Sequence, residues 1–377
     1  MKRVIGLAVG RGTGPEVAAV FERVLGAFAR LYATDIQLVR SPRTYHSYAS
    51  LKAEGGVQEI GRLTQEDAAH YERFCRTQAE SGTRVIFRTA VNAQSLYLVR
   101  QRLQAVKVDA MATATAGTEP AREASLLLVR DQAQGFYTGE NQHAPGVVRR
   151  TMEFSREITE KVLACAVDRA WRQWPGKGPS QVVMAYKFHL LDGALDAWVT
   201  ELATRYDIPV RLFQPDTVNR NLITHGLADR TVVVAGNEWA DIMHVVLLDR
   251  FGSDRQENRC TENVHLHPDV RGLVEYQTVH GSADDLEGLD RVNPVATVRA
   301  AAAIAERYAD CAGAVRATED VLATLAERDV RTPDLGGRHS TTAVVDALLA
   351  ALPEALERSR PGPLPGQLAA ASRVDRG

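Results

Sequence analysis

The chain has 377 residues, 45% hydrophobic and 24% charged, enough for two domains or one large intertwined one. Its 45 basic and 47 acidic side chains leave a net charge of −2, so no charge excess points to nucleic acid or to a membrane surface. The four cysteines, Cys75, Cys165, Cys260 and Cys311, form no C-x-x-C pair, which argues against a zinc knuckle or a disulfide framework.

Residues 3–9, RVIGLAV, predict a buried strand: short, apolar and stopped by glycine. The run is too short for a signal or transmembrane segment, so the chain reads as a soluble, cytoplasmic protein. GRGTG follows, then helical spacing from Pro15 at a first-turn position. The glycine spacing is neither the dinucleotide G-x-G-x-x-G nor a P-loop. It fits close approach of a ligand near a helix N-terminus and a simple tight turn equally well. Further short apolar runs at 83–88, 108–114, 125–130, 181–186, 209–214 and 231–236 predict strands. Helical patterns over 151–174, 192–206 and 294–310 lie among them. Strands alternating with helices argue for an α/β protein with much parallel sheet. The tail from Ser359, rich in Pro, Gly and Ala, is expected to be disordered.

Several stretches could carry chemistry. Arg130 stands at a strand end, with Tyr137 seven residues on in a glycine-flanked loop. A planar guanidinium suits a carboxylate, and a tyrosine can donate a proton; a surface Arg and a half-buried Tyr are the plainer alternative. Lys187 directly follows an apolar strand, where a lysine can act as a base or simply extend its charge to water. The loop at 275–294 offers Asp284, Asp285 and Asn293 to a ribose and a base, and carboxylates there favour NAD over NADP. Residues 231–245, TVVVAGNEWADIMHV, turn from a strand into a helix that carries one carboxylate, Asp241. Val245 sits one turn on, beside His244.

Taken in order, these pieces resemble the β-decarboxylating dehydrogenases of isocitrate, 3-isopropylmalate, homoisocitrate and D-malate or tartrate. GRGTGPEV resembles their G-D-G-I-G-P-E-V opening, and LVRDQAQGFYTG resembles V-R-E-N-T-E-G-E-Y-S-G. AGNEWADIM resembles T-x-N-x-F-G-D-I-L, and VHGSADDLEGLDRVNP resembles H-G-S-A-P-D-I-A-G-x-x-x-A-N-P. RTPDLGG at 331–337 resembles the C-terminal T-x-D-L-G-G. Five colinear motifs span roughly residues 1–350.

The resemblance implies an isopropylmalate dehydrogenase-like two-domain α/β fold that is not Rossmann, with mixed sheets flanked by helices. The large cofactor-binding domain is expected over 1–100 plus 255–358, and a central domain over 101–254 that forms a homodimer interface. The active site is then shared between subunits. The resemblance implies Arg100 and Arg130 as substrate-carboxylate ligands. Tyr137 is implied as the proton donor after decarboxylation and Lys187 as the base, reaching in from the partner. Asp216, also from the partner, and Asp241 are implied as ligands of Mg²⁺ or Mn²⁺. His280, Gly281, Ser282, Ala283, Asp285, Leu286 and Asn293 are implied as the NAD loop. Oxygen donors suit these hard cations. The expected reaction is metal-assisted, NAD-dependent oxidation of a 2-hydroxy acid, with loss of a 3-carboxylate where one is present.

The departures from the family pattern cluster at the substrate. A second Arg, ten residues after the first in the family, falls by ungapped alignment on Ala110-Met111. Arg11 replaces the opening Asp, Asp131-Gln132 replace E-N, Phe188-His189 follow Lys187, and Val245 replaces a second metal carboxylate. These changes leave three readings open: an active dehydrogenase with a non-standard substrate, in which His244 or Glu238 helps hold the metal; a binding or regulatory subunit; or oxidation without decarboxylation. They also suggest a specialised pathway such as secondary metabolism.

Overall fold

The computed structural model describes residues 2–111, 125–226, 228–251 and 255–359; the tail beyond, expected to be disordered, lies outside the described residues. In chain order the strands are β1 (Arg3–Gly10), β2 (Ile36–Tyr45), β3 (Val85–Arg88), β4 (Ala105–Met111), β5 (Leu126–Asp131), β6 (Glu140–Ala144), β7 (Val147–Thr151), β8 (Gln181–Ala185), β9 (Val210–Phe213), β10 (Thr231–Gly236), β11 (Cys260–His265) and β12 (Val274–Thr278). The helices are α1 (Gly14–Tyr32), α2 (Tyr48–Glu54), α3 (Val57–Glu80), α4 (Ala93–Arg102), α5 (Arg156–Gln173), α6 (Ala194–Ala203), α7 (Pro215–His225), α8 (Asn237–Phe251), α9 (Val295–Tyr308), α10 (Ala314–Glu327) and α11 (Thr341–Ser359). The chain divides into two compact units. One comprises Val4–Pro15 and Leu38–Asp285; the other comprises Met1–Arg3, Glu16–Gln37 and Leu286–Gly377.

The first unit is built on a ten-stranded sheet in the order β2-β1-β3-β12-β11-β4-β5-β10-β8-β9. β1, β3 and β12 run parallel, as do β5, β10, β8 and β9; β11 and β4 are antiparallel to their neighbours. The mixed α/β architecture expected from the sequence is therefore present. Each of the seven apolar runs overlaps a strand, though that at 108–114 does so only as far as Met111, its last three residues lying outside the described residues. All of these strands except β4 have a parallel neighbour, and buried parallel strands read as continuous apolar stretches.

Side-chain alternation sorts the residues of β4, β5, β8 and β10 onto two faces. Val106, Val108, Leu127, Val129, Val182, Met184, Val232 and Val234 pack on one face with Val162 and Ala166 of α5 and Val199 of α6. Met111, Leu126, Leu128, Val183, Ala185, Val233 and Ala235 pack on the other with Ala240 and Met243 of α8 and Val218 of α7. Arg130 and Lys107 have the parity of the second face, the one that α8 covers. Ala110 has the parity of Val106 and Val108, so it points to the opposite side of the sheet from Arg130.

The helical pattern expected from 151 starts five residues later. Glu140–Ala144 and Val147–Thr151 form an exposed antiparallel ribbon, with Gly146 at φ 72° in the turn. α5 begins only after Ser155, whose side chain accepts from the Ile158 amide at 3.4 Å. In the second unit, α10 packs against both α9 and α11, and Phe21, Phe28, Ile304, Val345 and Leu348 are buried. Asn293 starts α9: its Oδ1 accepts from the Val295 amide at 3.0 Å, and its Nδ2 donates to Asp334 at 2.9 Å. Among the described residues, no helix is long and apolar enough to cross a membrane.

Candidate active site

Three of the predicted site residues meet at the carboxyl end of β5. Arg130 is buried there and reaches α8. Its Nη1 lies 2.5 Å from Asp241 Oδ1, while Nε and Nη2 donate to Asn237 Oδ1 at 3.0 and 2.7 Å. The Tyr137 hydroxyl donates to Asp241 Oδ2 at 3.2 Å. Burial, reinforced by the Asp241 charge, pushes the Tyr137 phenol up to about 12, so it keeps its proton at neutral pH. The carboxyl ends of parallel strands are where α/β sheets collect ligands.

Arg100 joins through aromatic contacts. Its guanidinium lies 5.8 Å from the centre of the Tyr97 ring, one turn earlier on α4, and Tyr97 stacks on Tyr137 at 4.7 Å. A buried polar layer lies behind Arg100. Arg100 and Arg88 both donate to Gln277 Oε1, the former at 3.1 Å, and Arg88 Nε pairs with Glu275 at 3.0 Å. Burial, with Arg88 close by, lowers the Arg100 guanidinium to about 10. Tyr97 and Gln277 were not singled out from sequence. Tyr97 was findable, since it and Arg100 are three apart on one helix and share a face. Gln277 was not, because its role depends on β12 entering the sheet two strands from β4.

Lys187 and Asp216 form a second group. Lys187 follows β8 and donates to Asp216 at 2.7 Å and to Gln214 at 3.2 Å; its ammonium lies 5.5 Å from the Trp239 ring. That hydrogen bond lowers the pKa of Asp216, which is 71% exposed. Among the described residues, no hydrogen bond or ion pair joins this group to Tyr137, Arg130 or Asp241.

His244 pairs with a carboxylate other than Asp241. It is buried, and its Nε2 lies 2.8 Å from Asp109, which also takes Arg259 at 2.5 Å. Burial alone would raise Asp109, but these two partners hold it down to about 2. Glu238 turns toward Gly135, where a Cβ would lie 3.4 Å from its Oε2; burial raises its carboxyl. Val245 is 57% exposed, one turn beyond Asp241. Among the described residues, no three His, Cys, Asp or Glu side chains gather as metal donors. Among the described residues, the two expected metal carboxylates, Asp241 and Asp216, are each paired with a cation, Arg130 and Lys187.

The glycine-rich loop and the 280s loop are brought together. The Thr13 amide and hydroxyl both donate to the Ser282 carbonyl, at 2.9 and 2.8 Å. Gly12, at φ 69°, lies so close that a Cβ would sit 2.7 Å from that carbonyl. Asp284 accepts from Ser47 and Ser282 at 2.5 Å each, and Asp285 follows it in a short 3₁₀ turn, Asp284–Leu286. A glycine held against a carbonyl, beside adjacent carboxylates, fits a cradle for a ribose-bearing ligand and disfavours an added phosphate there. Arg11, where the family has Asp, pairs with Glu54. Leu286 and Asn293 belong to the second unit, where the Asn293 side chain accepts from the Val295 amide just before α9.

Residues 4–348 match the family model described as isocitrate/isopropylmalate dehydrogenase. The chain is 28% identical over 241 residues to isocitrate dehydrogenase [NAD] subunit 2 of Kluyveromyces lactis, covering 60% of each chain. It is 26% identical to a mitochondrial regulatory subunit of the NAD isocitrate dehydrogenase of Dictyostelium discoideum, covering 62% of this chain and 64% of that one. The match thus spans about three-fifths of the length of these relatives. With the 3-isopropylmalate dehydrogenase of Zymomonas mobilis it is 25% identical, over 92% of this chain and 99% of that one. The fold is similar to that of isocitrate dehydrogenase from Methylococcus capsulatus, with a TM-score of 0.66 at 19% identity over 93% and 99% of the two chains. The match over nearly its whole length, and a fold shared with these enzymes, place the chain in the isocitrate/isopropylmalate dehydrogenase family.

Proposed function

We propose that this protein is an NAD-dependent dehydrogenase of a 2-hydroxy acid, with loss of a 3-carboxylate as carbon dioxide where the substrate carries one. The observation that carries this reading is the hydrogen bond from a protonated Tyr137 to an Asp241 already paired with Arg130, with Arg100 reached through Tyr97. Arg130 and Arg100 hold substrate carboxylates, the planar forks fixing the acid's orientation. Lys187 takes the hydroxyl proton. Tyr137, whose phenol burial keeps protonated at neutral pH, then returns a proton to carbon once the carboxylate has left. The loops joined at Thr13 and Ser282 hold NAD, which accepts the hydride.

Asp241 and Asp216 are suitable oxygen donors for Mg²⁺ or Mn²⁺, which, when bound, polarises the substrate hydroxyl. Because no hydrogen bond or ion pair among the described residues joins the Lys187–Asp216 pair to the Tyr137–Asp241 pair, a homodimer in which a second copy presents Lys187 and Asp216 is the assembly we propose. Residues 101–254 would supply its interface, with 1–100 and 255–358 as the cofactor domain, in the cytoplasm and serving a specialised pathway.

The test is NADH formation by the purified protein with Mg²⁺ or Mn²⁺ and a panel of 2-hydroxy mono- and dicarboxylic acids. Carbon dioxide release would separate oxidation with decarboxylation from oxidation alone. No turnover with any acid, together with no NAD binding by calorimetry, overturns the enzyme reading. It would favour the second one, a binding or regulatory subunit, for which Val245 in place of a carboxylate is the supporting observation.

A further inference from the structure

Asp284 stands where the motif quoted above has proline, and its side chain makes bonds for which a proline has no group. Its Oδ1 accepts from the Ser47 hydroxyl and its Oδ2 from the Ser282 hydroxyl, both at 2.5 Å. Gly12 lies against the same carboxylate: a Cβ there would sit 3.1 Å from Asp284 Cγ. Asp285, the next residue, is exposed. The two adjacent carboxylates therefore differ, one bonded within the protein and the other turned outward. The loop has a need for such bonds. Ala283 has φ 41°, in the left-handed region that a residue with a Cβ enters at a cost, so surrounding contacts must hold it there. On one side of Ala283, the Ser282 carbonyl accepts from the Thr13 amide and hydroxyl. On the other side, the Asp284 carboxylate is the tie.

The far end of that tie is anchored in the core. Ser47 is 1% exposed, and its Oγ also accepts from the Ser50 amide at 3.0 Å, which leaves its one hydroxyl proton for Asp284. The His46 amide just before it donates to the buried Asp67 at 2.8 Å, and the His46 carbonyl accepts from the Asn92 amide at 2.8 Å. We propose that Asp284 is a positioning residue. Through Ser47 it fixes the 280s loop in the strained form that receives the cofactor, and it leaves the ribose to Asp285. Two hydrogen bonds do here what a proline ring does by restricting φ. The proposal rests on the NAD reading and adds to it the device that shapes the loop.

The test is calorimetry with NAD on wild type, Ser47→Ala, Asp284→Ala and the double variant, each checked for folding by circular dichroism. Each single variant should bind NAD about tenfold more weakly, as loss of a hydrogen bond to a charged group predicts. The double variant should be no weaker than Asp284→Ala, because both changes remove the same tie. Asp284→Asn, which keeps one acceptor oxygen, should recover part of the loss, and in steady state the loss should fall mainly on KM for NAD. Weaker binding in Asp284→Ala with unchanged binding in Ser47→Ala overturns the proposal, since Asp284 would then touch the cofactor itself. Unchanged binding in both also overturns it. If wild type binds no NAD, the cofactor reading is what fails, and hydrogen exchange at the buried Thr13 amide decides the positioning role. Exchange about tenfold faster in Ser47→Ala and Asp284→Ala supports it, because the Ser282 carbonyl that protects this amide is then released. Unchanged exchange in either variant overturns it.

Discussion

Arg130 and Asp241 close an ion pair at 2.5 Å between the end of β5 and the second turn of α8. The same carboxylate accepts from Tyr137, so one acidic group orders both the arginine and the tyrosine of the site. Tyr137→Phe removes the transferable proton and leaves the ring on Tyr97. It should lower decarboxylating turnover by about 10²–10⁴-fold while thermal unfolding barely moves. Turnover close to wild type would remove Tyr137 from proton transfer.

Lys187→Ala should abolish NADH formation, a loss of at least about 10²-fold, without unfolding the protein. Steady-state rates alongside circular dichroism check this. A fully active variant would mean that the base is another residue.

The Lys107 charge should mark stability. Burial first, and then Arg130, lower this ammonium from its ordinary 10.5 to about 7 in the folded chain. Between about pH 7 and 10.5 the unfolded state binds the proton that the folded state has given up. Stability therefore rises with pH across that window and carries the full penalty below it. Relative to wild type, Lys107→Met should lose this slope, about 1.4 kcal/mol per pH unit for a single group. Urea unfolding at pH 7, 8 and 9 measures it; parallel curves for the two proteins would contradict the buried placement of the ammonium.

Gly12→Ala places a Cβ at a positive φ, 2.7 Å from the Ser282 carbonyl. It should cost about 1–3 kcal/mol and weaken NAD binding, since the two loops must separate to accept it. Thermal unfolding and calorimetry with NAD give the two readouts. An unchanged NAD affinity would detach this loop contact from the cofactor.

Val245→Asp adds a carboxylate one turn beyond Asp241, on the exposed side of α8. Mn²⁺ affinity should rise by about tenfold, because more donor charge strengthens a hard-cation site. Calorimetry with Mn²⁺ on wild type and variant tests this; equal affinities would place Val245 away from the donors.

Much of the fold was legible because its signals are local. The apolar runs at 3–9 and 231–236 announce buried strands by length and composition alone. The start of α5 was placed five residues early because Met152 and Phe154 read as apolar positions continuing the helical spacing that follows them; Ser155 sets the boundary by capping. The site was legible only where motifs keep their spacing, as at Arg130, Tyr137 and Asp241. The missing Arg was sought at Ala110 because an ungapped alignment counts residues and not sheet faces.

The sequence by itself determined the family, the alternation of strands with helices, and the chemical types offered to the candidate site, because these follow from composition, period and motif order. Only the tertiary structure decided which charges meet. Sheet order set Lys107 against Arg130 and Gln277 against Arg100, and α8 gave Asp241 to Arg130 and His244 to Asp109. Such pairings join residues up to 177 positions apart. They depend on register and on the sheet face each side chain occupies, which no local window contains.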